Sequence, residues 1–244
     1  MAFRPDNTGK NSEGLFCKYG IKQLAQIRPR ADSGHMITVH HLNNSRSQRI
    51  LWLLEELEVN YEIKFYARDK DSNRAPAELK AVHPLGKSPV ITDGDRVIAE
   101  TGAIVEYLIR KYGKSALVPD IGTDEYIDYV HFMHYSEGSA MLPLLLALYT
   151  SFLGDAADPI QPMIMAEIKA QFDYIEYQLI RSDYFAGNTL TGADIMMSFP
   201  IEAAKARGRL KGYDACNDYI DKIHKRPAYL RAIEKGGDYA YGPR

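Results

Sequence analysis

"HHLNNSRSQRILWLLEEL", residues 40–57, closes an apolar run that begins at Ile37, crosses seven polar residues and ends in a second apolar run. Residues 37–42, "ITVHHL", read as a strand. Beyond them Ile50, Leu53, Leu54 and Leu57 fall at i, i+3, i+4 and i+7, which is one face of a helix. A strand that passes through a short polar loop straight into a helix leaves the first-turn N–H groups unpaired at the positive end of the helix. Such a junction is suited to an anion. No thiol stands there, since the residues are Asn44-Ser45-Arg46-Ser47. A reactive anion would have to arrive with a ligand.

The pattern continues outward from this unit. "NYEIKFY" (60–66) alternates Tyr61, Ile63 and Phe65 against Glu62, Lys64 and Tyr66, a second strand. A short helix follows around "APAELKAV" (75–82). "SPVIT", the turn "DGD" and "RVIAE" (88–100) read as a hairpin. "TGAIVEYLIRKYG" (101–113) is a helix with Ile104, Leu108 and Tyr112 aligned, stopped by Gly113. The order β-α-β-α-β-β-α implies a mixed four-stranded sheet, because the first crossover must be parallel and the last connection is a hairpin. "GKSALVPDIGTDE" (113–125) then reads as a linker. Helical patterns occupy 123–152 (bent at Pro143), 162–181, 192–208, 213–225 and 227–236. Two domains are expected, α/β over 36–115 and all-α over 123–244.

With 244 residues, 45% of them hydrophobic and 25% charged, the chain can bury a sizeable core. A net charge of −2 argues against a polyanion partner such as nucleic acid. The longest apolar stretch, Met141–Leu148, contains Pro143 and falls short of the roughly 20 residues that span a bilayer, so no membrane is expected. Two cysteines, Cys17 and Cys216, fit a reducing, cytoplasmic compartment, and neither is read as catalytic. Residues 1–35 lack periodicity. They carry Arg4, Lys10, Lys18, Lys22, Arg28 and Arg30 against Asp6, Glu13 and Asp32, and contain little Ser, a poor transit peptide. They read as a disordered or added extension outside the domains, ahead of Met36.

Three pieces carry chemistry. A small mixed-sheet domain of this order has the thioredoxin-like fold, whose working surface joins the first helix N-terminus to the loop before the third strand. "HPLGKSPVI" supplies that loop. A cis Pro89 there would turn the Val90 N–H and C=O outward to pair a peptide ligand, the plainer reading being a proline that starts an edge strand. In "AETGAI", Thr101 can cap a helix whose N–H groups face out, holding a carboxylate, while Glu100 receives an ammonium. Both charges on one carbon describe the α-amino acid end of a γ-glutamyl residue. Thr101 as a helix cap and nothing more is the alternative.

With the pair "GKSPV…AETGAI", residues 36–244 resemble a cytosolic glutathione S-transferase of a kind common in bacteria and fungi. "NTLTGADIMMSFPIEAA" is similar to that superfamily's capping motif, in which Thr191-x-x-Asp194 is structural, with Asp194 buried and Leu190 placed to staple the helix. The resemblance implies glutathione as co-substrate, no metal, a homodimer, and conjugation to hydrophobic electrophiles in detoxification. Peroxidase or disulfide-reductase work would use glutathione's own sulfur. The anion of the opening junction is then glutathione's thiolate. Its thiol, with a pKa near that of free cysteine at about 8.5, needs about 2.7 kcal/mol to fall two units. A hydrogen bond to the charged sulfur contributes roughly 1.5–3 kcal/mol and a helix terminus some 0.3–1.

Relatives with a serine place it where Asn44 stands, so this chain departs from the usual register. Ser45 is the first candidate donor and Asn44 the second, while Ser47 reads as packing or capping. Arg46 and Arg49 would add positive potential or remain solvated surface charges. Lys87 matches a position that contacts the glycyl carboxylate, alongside Ser88, Pro89 and Val90, and His83 is a weaker candidate of the same kind. Met133, Tyr135 and Ser139 are candidates to line the electrophile pocket, though aromatic and Met residues at this spacing are commonly core. His131, His134 and Glu137 make a poor metal face. A non-catalytic transferase-like interaction module is the rival reading.

Overall fold

The computed structural model describes residues 36–70, 72, 74–113 and 116–243. Residues 1–35, with Cys17 and the expected extension, lie outside the described residues. A thioredoxin-like half comes first. It comprises β1 (Ile37–Leu42), α1 (Ser47–Glu56), β2 (Tyr61–Tyr66), α2 (Leu79–Val82), β3 (Val90–Asp93), β4 (Arg96–Ala99) and α3 (Thr101–Tyr112). The sheet order is β2-β1-β3-β4. β1 and β2 run parallel from Ile37↔Tyr61 to Leu42↔Tyr66, and β3 lies antiparallel to β1 with His40↔Val90. β3 and β4 form the hairpin, in register from Val90↔Ala99 to Asp93↔Arg96. Gly94, at φ 59, lets two residues close this turn where a Cβ would be strained. Asp93 accepts hydrogen bonds from the hydroxyls of Tyr107 and Tyr112 and pairs with Lys111, fastening the hairpin to α3.

Two expectations change here. α1 is not amphipathic in use, because Ser47 through Glu55 are all buried. It packs against β1, α3, α7 and α9 at once, which takes its polar residues out of water and leaves Gln48 Nε2 and Oε1 and Arg49 Nε without a hydrogen-bond partner among the described residues. Phe65 is 59% exposed, because edge strand β2 is covered only in part and the ring merely leans edge-on against His41.

The second half is helical: α4 (Asp124–Tyr135), a π-helical turn (Ser136–Ala140), α5 (Met141–Thr150), a 3₁₀ stretch (Ser151–Ala157), α6 (Gln161–Arg181), α7 (Gly192–Lys205), α8 (Asp214–His224) and α9 (Pro227–Gly236). α7 ends at Lys205, short of the expected 208, and a turn through Gly208 follows. The irregularity expected at Pro143 lies in the preceding turn. A proline lacks the N–H of the helical ladder and crowds the carbonyl four residues back, here Ser139. The extra residue of the π turn takes up that misfit before Pro143 is reached. The run Asp124–Ala157 has 34 residues and is long and apolar enough to cross a bilayer by length and composition, which the stretch 141–148 alone did not indicate. In the fold, α4 packs on α7, and α5 on α6 and α7.

α9 reaches back to α1. Trp52 meets Tyr229 edge-on at 5.5 Å. Arg226 bonds Glu56 at 2.6 Å, and Arg231 and Lys235 bond Glu55. Gly236 lies so close that a Cβ would sit 2.7 Å from Gln48 Oε1 and 2.8 Å from Leu51 Cδ1. The last of the described helices is thereby fixed against the first of them.

Candidate active site

The loop between β1 and α1 is closed upon itself. Ser47 Oγ receives the Leu42 N–H at 3.3 Å and lies 2.9 Å from His41 Nδ1 and 2.8 Å from Ser45 Oγ. Ser45 Oγ accepts the Ser47 N–H at 3.2 Å, and the Ser45 carbonyl accepts the Gln48 N–H. The Arg49 N–H goes to the Arg46 carbonyl. The first-turn donors expected to hold an anion are therefore consumed, one by the Ser45 hydroxyl and two by the carbonyls of Ser45 and Arg46. Burial drives His41 down to about 4, so its ring is neutral at ordinary pH.

Asn44 differs from its neighbours. Its φ is 51, a left-handed conformation that asparagine tolerates. Arg68 donates to the carbonyls of Asn43 and Asn44 at 3.2 and 2.9 Å, holding the loop from below. The Asn44 Oδ1 accepts the Ala240 N–H at 2.7 Å. Its Nδ2 has no hydrogen-bond partner among the described residues. Of the two donor candidates, Ser45 turns inward with 8% exposure, and Asn44 is half-buried with two free N–H bonds.

At the corner before β3, the Ser88–Pro89 bond is cis and Ser88 Oγ donates to the His40 carbonyl at 2.9 Å. Val90 does not face out as expected. It stands in register between His40 and Ala99 with its side chain buried, because β3 is an inner strand. The backbone left at this corner is that of Lys87 and Ser88. Lys87 is exposed and makes no ion pair among the described residues.

α3 opens differently. Glu100 precedes it at φ 70 and ψ 121, with no side-chain cap, so Thr101 is the first helical residue and not the capping hydroxyl expected. The Ile104 N–H bonds the Glu100 carbonyl at 2.9 Å, while those of Thr101, Gly102 and Ala103 have no partner among the described residues. Three donors and the helix dipole thus point past an exposed carboxylate. They border a cleft of about 660 Å³ lined by Glu100, Gly102, Ala103, Met133, Glu137 and Met196, among others.

Of the candidate electrophile-pocket residues, only Met133 lines that cleft. Tyr135 lies two positions on, on the opposite side of the helix, where its hydroxyl donates to Gln171 Oε1 at 2.6 Å and its ring packs on His131 and Tyr174. Ser139 falls within the π turn, which rotates it off the Met133 face. Glu137 binds Arg46 at 2.9 Å and also Arg49, whose side chain is 1% exposed. Burial alone would lift the Glu137 carboxyl, but Arg49 and Arg46 hold it below the usual carboxylate range. Arg49 also reaches the Met196 carbonyl, and both guanidiniums lie over the Phe199 ring at 5.2 and 5.3 Å. So Arg49 is a buried clamp between the two halves, not a surface charge. An arginine directly before the apolar run Ile50–Leu54 was its only sequence signal. Glu137 enters the sequence reading only as part of a poor metal face, and Met196, Phe199 and the C-terminal tail do not enter it as site residues. Among the described residues no His, Cys, Asp and Glu cluster could hold a metal ion.

Thr191 and Asp194 form a capping box at α7. Asp194 accepts the Thr191 and Phe185 N–H groups and the hydroxyls of Thr191 and Tyr219, all at 2.8–3.0 Å. Burial lifts its carboxyl to about 6 despite these bonds.

Comparison with known proteins agrees with this geometry. Residues 34–110 match the family model of the glutathione S-transferase N-terminal domain. The chain is 38% identical to glutathione S-transferase 3 of Schizosaccharomyces pombe, over 83% of this chain and 89% of that one. It is 33% identical to glutathione S-transferase 1 of Saccharomyces cerevisiae, over 82% and 95%. A crystal structure of a glutathione S-transferase from Actinobacillus pleuropneumoniae superposes with a TM-score of 0.76 at 37% identity, covering 85% of this chain and all of that one.

Proposed function

Since the chain belongs to the glutathione S-transferase family, we propose a division of labour within its site, with one helix start binding glutathione and the other activating it. The protein is a glutathione transferase, joining the sulfur of glutathione to hydrophobic electrophiles. The α-carboxylate of the γ-glutamyl end goes to the free N–H groups of Thr101 and Gly102, and its ammonium to Glu100. Lys87 meets the glycyl carboxylate, and the backbone of residues 87–88 pairs the cysteinyl peptide. The sulfur then lies at the β1–α1 loop, where the Asn44 Nδ2 donates to the thiolate, with Ser45 as the second candidate. Met133 and Met196 offer apolar wall beside this site for the electrophile.

The observation that carries this reading is the row of unpaired α3 donors beside Glu100, in a cleft. A thiolate two pH units more acidic than free cysteine requires about 2.7 kcal/mol. One donor to a charged acceptor contributes roughly 1.5–3 kcal/mol, and the start of α1 the remainder. Neutral His41 is too weak a base to add to this at neutral pH. Hydroperoxide and disulfide reduction through the same sulfur, a homodimer and a cytoplasmic location belong to the same proposal. Calorimetric titration with reduced glutathione, alongside a conjugation assay, tests it. Binding and turnover that Glu100→Gln weakens support the enzyme. Absence of binding would favour a non-catalytic interaction module instead.

A further inference from the structure

We propose that the C-terminal tail, residues 237–243, is a positioning element of the thiol site, in which the Ala240 N–H orients the Asn44 amide toward the sulfur. This rests on the reading that the thiolate of glutathione is held at the β1–α1 loop. A carboxamide has two faces of opposite character, one accepting and one donating, and nothing in its own shape decides which points where. A backbone N–H can only donate. Its contact with Asn44 at 2.7 Å therefore assigns that side to Oδ1 and leaves both Nδ2 protons on the other. A thiolate accepts and does not donate, so the orientation the tail imposes is the one that can stabilise it. A rotated amide would present an oxygen and oppose ionisation.

The tail is built to hold that N–H in place. Gly237, at φ 77, turns the chain at the end of α9. Tyr239 then inserts its hydroxyl against Glu202 Oε2 at 2.6 Å, where Glu202 also receives the Tyr229 hydroxyl and contacts His224 at 3.1 Å. Glu202 is 1% exposed, so Tyr239 is anchored at a rigid point of the core. Tyr241 closes the segment edge-on against Phe199 at 5.6 Å. α9 itself is tied to α1 by the Glu55 and Glu56 pairs, so the tail is referenced to the helix whose loop it serves. Ala240 and Asn44 are 196 residues apart in sequence.

The test uses the full chain with Asn44→Ala, Ala240→Pro, Ala240→Ser and Tyr239→Phe. Bound glutathione is titrated by its thiolate ultraviolet absorbance, and kcat and KM are measured. Ala240→Pro deletes the N–H and leaves the charged neighbours Arg46, Arg49, Arg68 and Glu137 in place. We expect its bound thiol to ionise about one pH unit higher and kcat at neutral pH to fall about threefold, with KM for glutathione within about twofold. Ala240→Ser, which keeps the N–H, behaves as the parent. Tyr239→Phe shifts the titration in the same direction by less, and carries the test if the proline variant does not fold. A parental titration in Ala240→Pro, with Asn44→Ala shifted, overturns the role of the tail and leaves the site reading intact. A parental titration in Asn44→Ala overturns both. Lost stability without a shifted titration also overturns the proposal, since a merely structural tail would give that result.

Discussion

Helices α1 and α3 each follow a strand, and each has a positive-φ residue on the way in, Asn44 three residues before α1 and Glu100 directly before α3, yet they use their first turns in opposite ways. At α1 the donors are consumed by Ser45 and Arg46, and Ser45 is locked in turn to Ser47, which bonds His41. At α3 three donors have no partner among the described residues, beside an exposed Glu100. A helix start with its own cap is a rigid platform that can aim one side chain. A start without one is, in the proposed reading, the receptor for a carboxylate. The difference lies in a single residue, since Ser45 has a hydroxyl within reach of the next N–H groups and Glu100, in its strained conformation, does not bend back.

The closed start depends most on what lies behind it. Arg49 is buried in α1, and its charge is balanced by Glu137 on the π turn. Removing one partner of a buried pair leaves the other charge uncompensated and typically costs 3–5 kcal/mol. Glu137→Ala should therefore destabilise the fold by about 3 kcal/mol or more in denaturant titration. Glu137→Ala with Arg49→Met should recover most of that. A loss within about 1 kcal/mol for the single variant would show that Arg49 finds other partners and that the clamp is not what holds α1.

The next effect is a pH effect. His41 bonds Ser47 in its neutral form, and burial takes its pKa from 6.5 to about 4. The unfolded chain therefore binds this proton more readily than the folded one. Stability from His41 is complete above pH 6.5 and drains away as pH falls toward 4, by about 3 kcal/mol. Asp194 tilts the other way, since its carboxyl is lifted to about 6, so its contribution is full at low pH and is lost as pH rises through 6. Because Asp194 is common to both proteins, the difference in stability between the parent and His41→Asn isolates the histidine. That difference should shrink between pH 7 and pH 4. A constant difference would mean that the ring is already charged in the fold.

Much of this contrast was visible in the residues alone. Alternation and the i, i+3, i+4 spacing placed β1, α1, β2 and α3, and the Asp-Gly turn placed the hairpin, because each depends on neighbours only a few positions apart. Glu100-Thr101 was recognisable because a strand stops and a helix starts there. What escaped notice was set by distant partners or by backbone angles. Ser45 ranks ahead of Asn44 in the sequence, since the N–H that orients Asn44 comes from the distant Ala240. Arg49 resembled a surface charge because Glu137 lies 88 residues away. Tyr135 was grouped with Met133 by composition, although two steps along a helix reverse the direction of a side chain. The φ of Glu100 leaves no trace in a sequence.

The open start is tested by binding. Glu100→Gln keeps the shape and removes the charge that meets the ammonium, so the Kd for glutathione should rise about tenfold while the bound thiol still ionises at its parental pH. Asn44→Ala should do the reverse, leaving Kd nearly unchanged and moving the ionisation. If both variants move both quantities, the two starts do not divide the work, and the contrast between a platform and a receptor fails.

The smallest effect bears on why Glu100 is there at all. Asparagine occupies left-handed backbone at little cost, so Asn44 at φ 51 needs no special explanation. Glutamate at φ 70 and ψ 121 does, because a Cβ there costs on the order of 1–3 kcal/mol that glycine avoids, against about 0.5–1 kcal/mol for the greater freedom of glycine when unfolded. Glu100→Gly should therefore raise stability by about 1 kcal/mol, or some 2–4 °C in Tm, while weakening glutathione binding. Asn44→Gly, the matched change at α1, should leave Tm nearly where it was. A gain at Glu100 and none at Asn44 would mean that, of the two helix starts, only the one proposed to receive the ligand is strained, its carboxylate sitting where the backbone would favour glycine. Equal changes at both positions would show that the strain is not specific to the receptor.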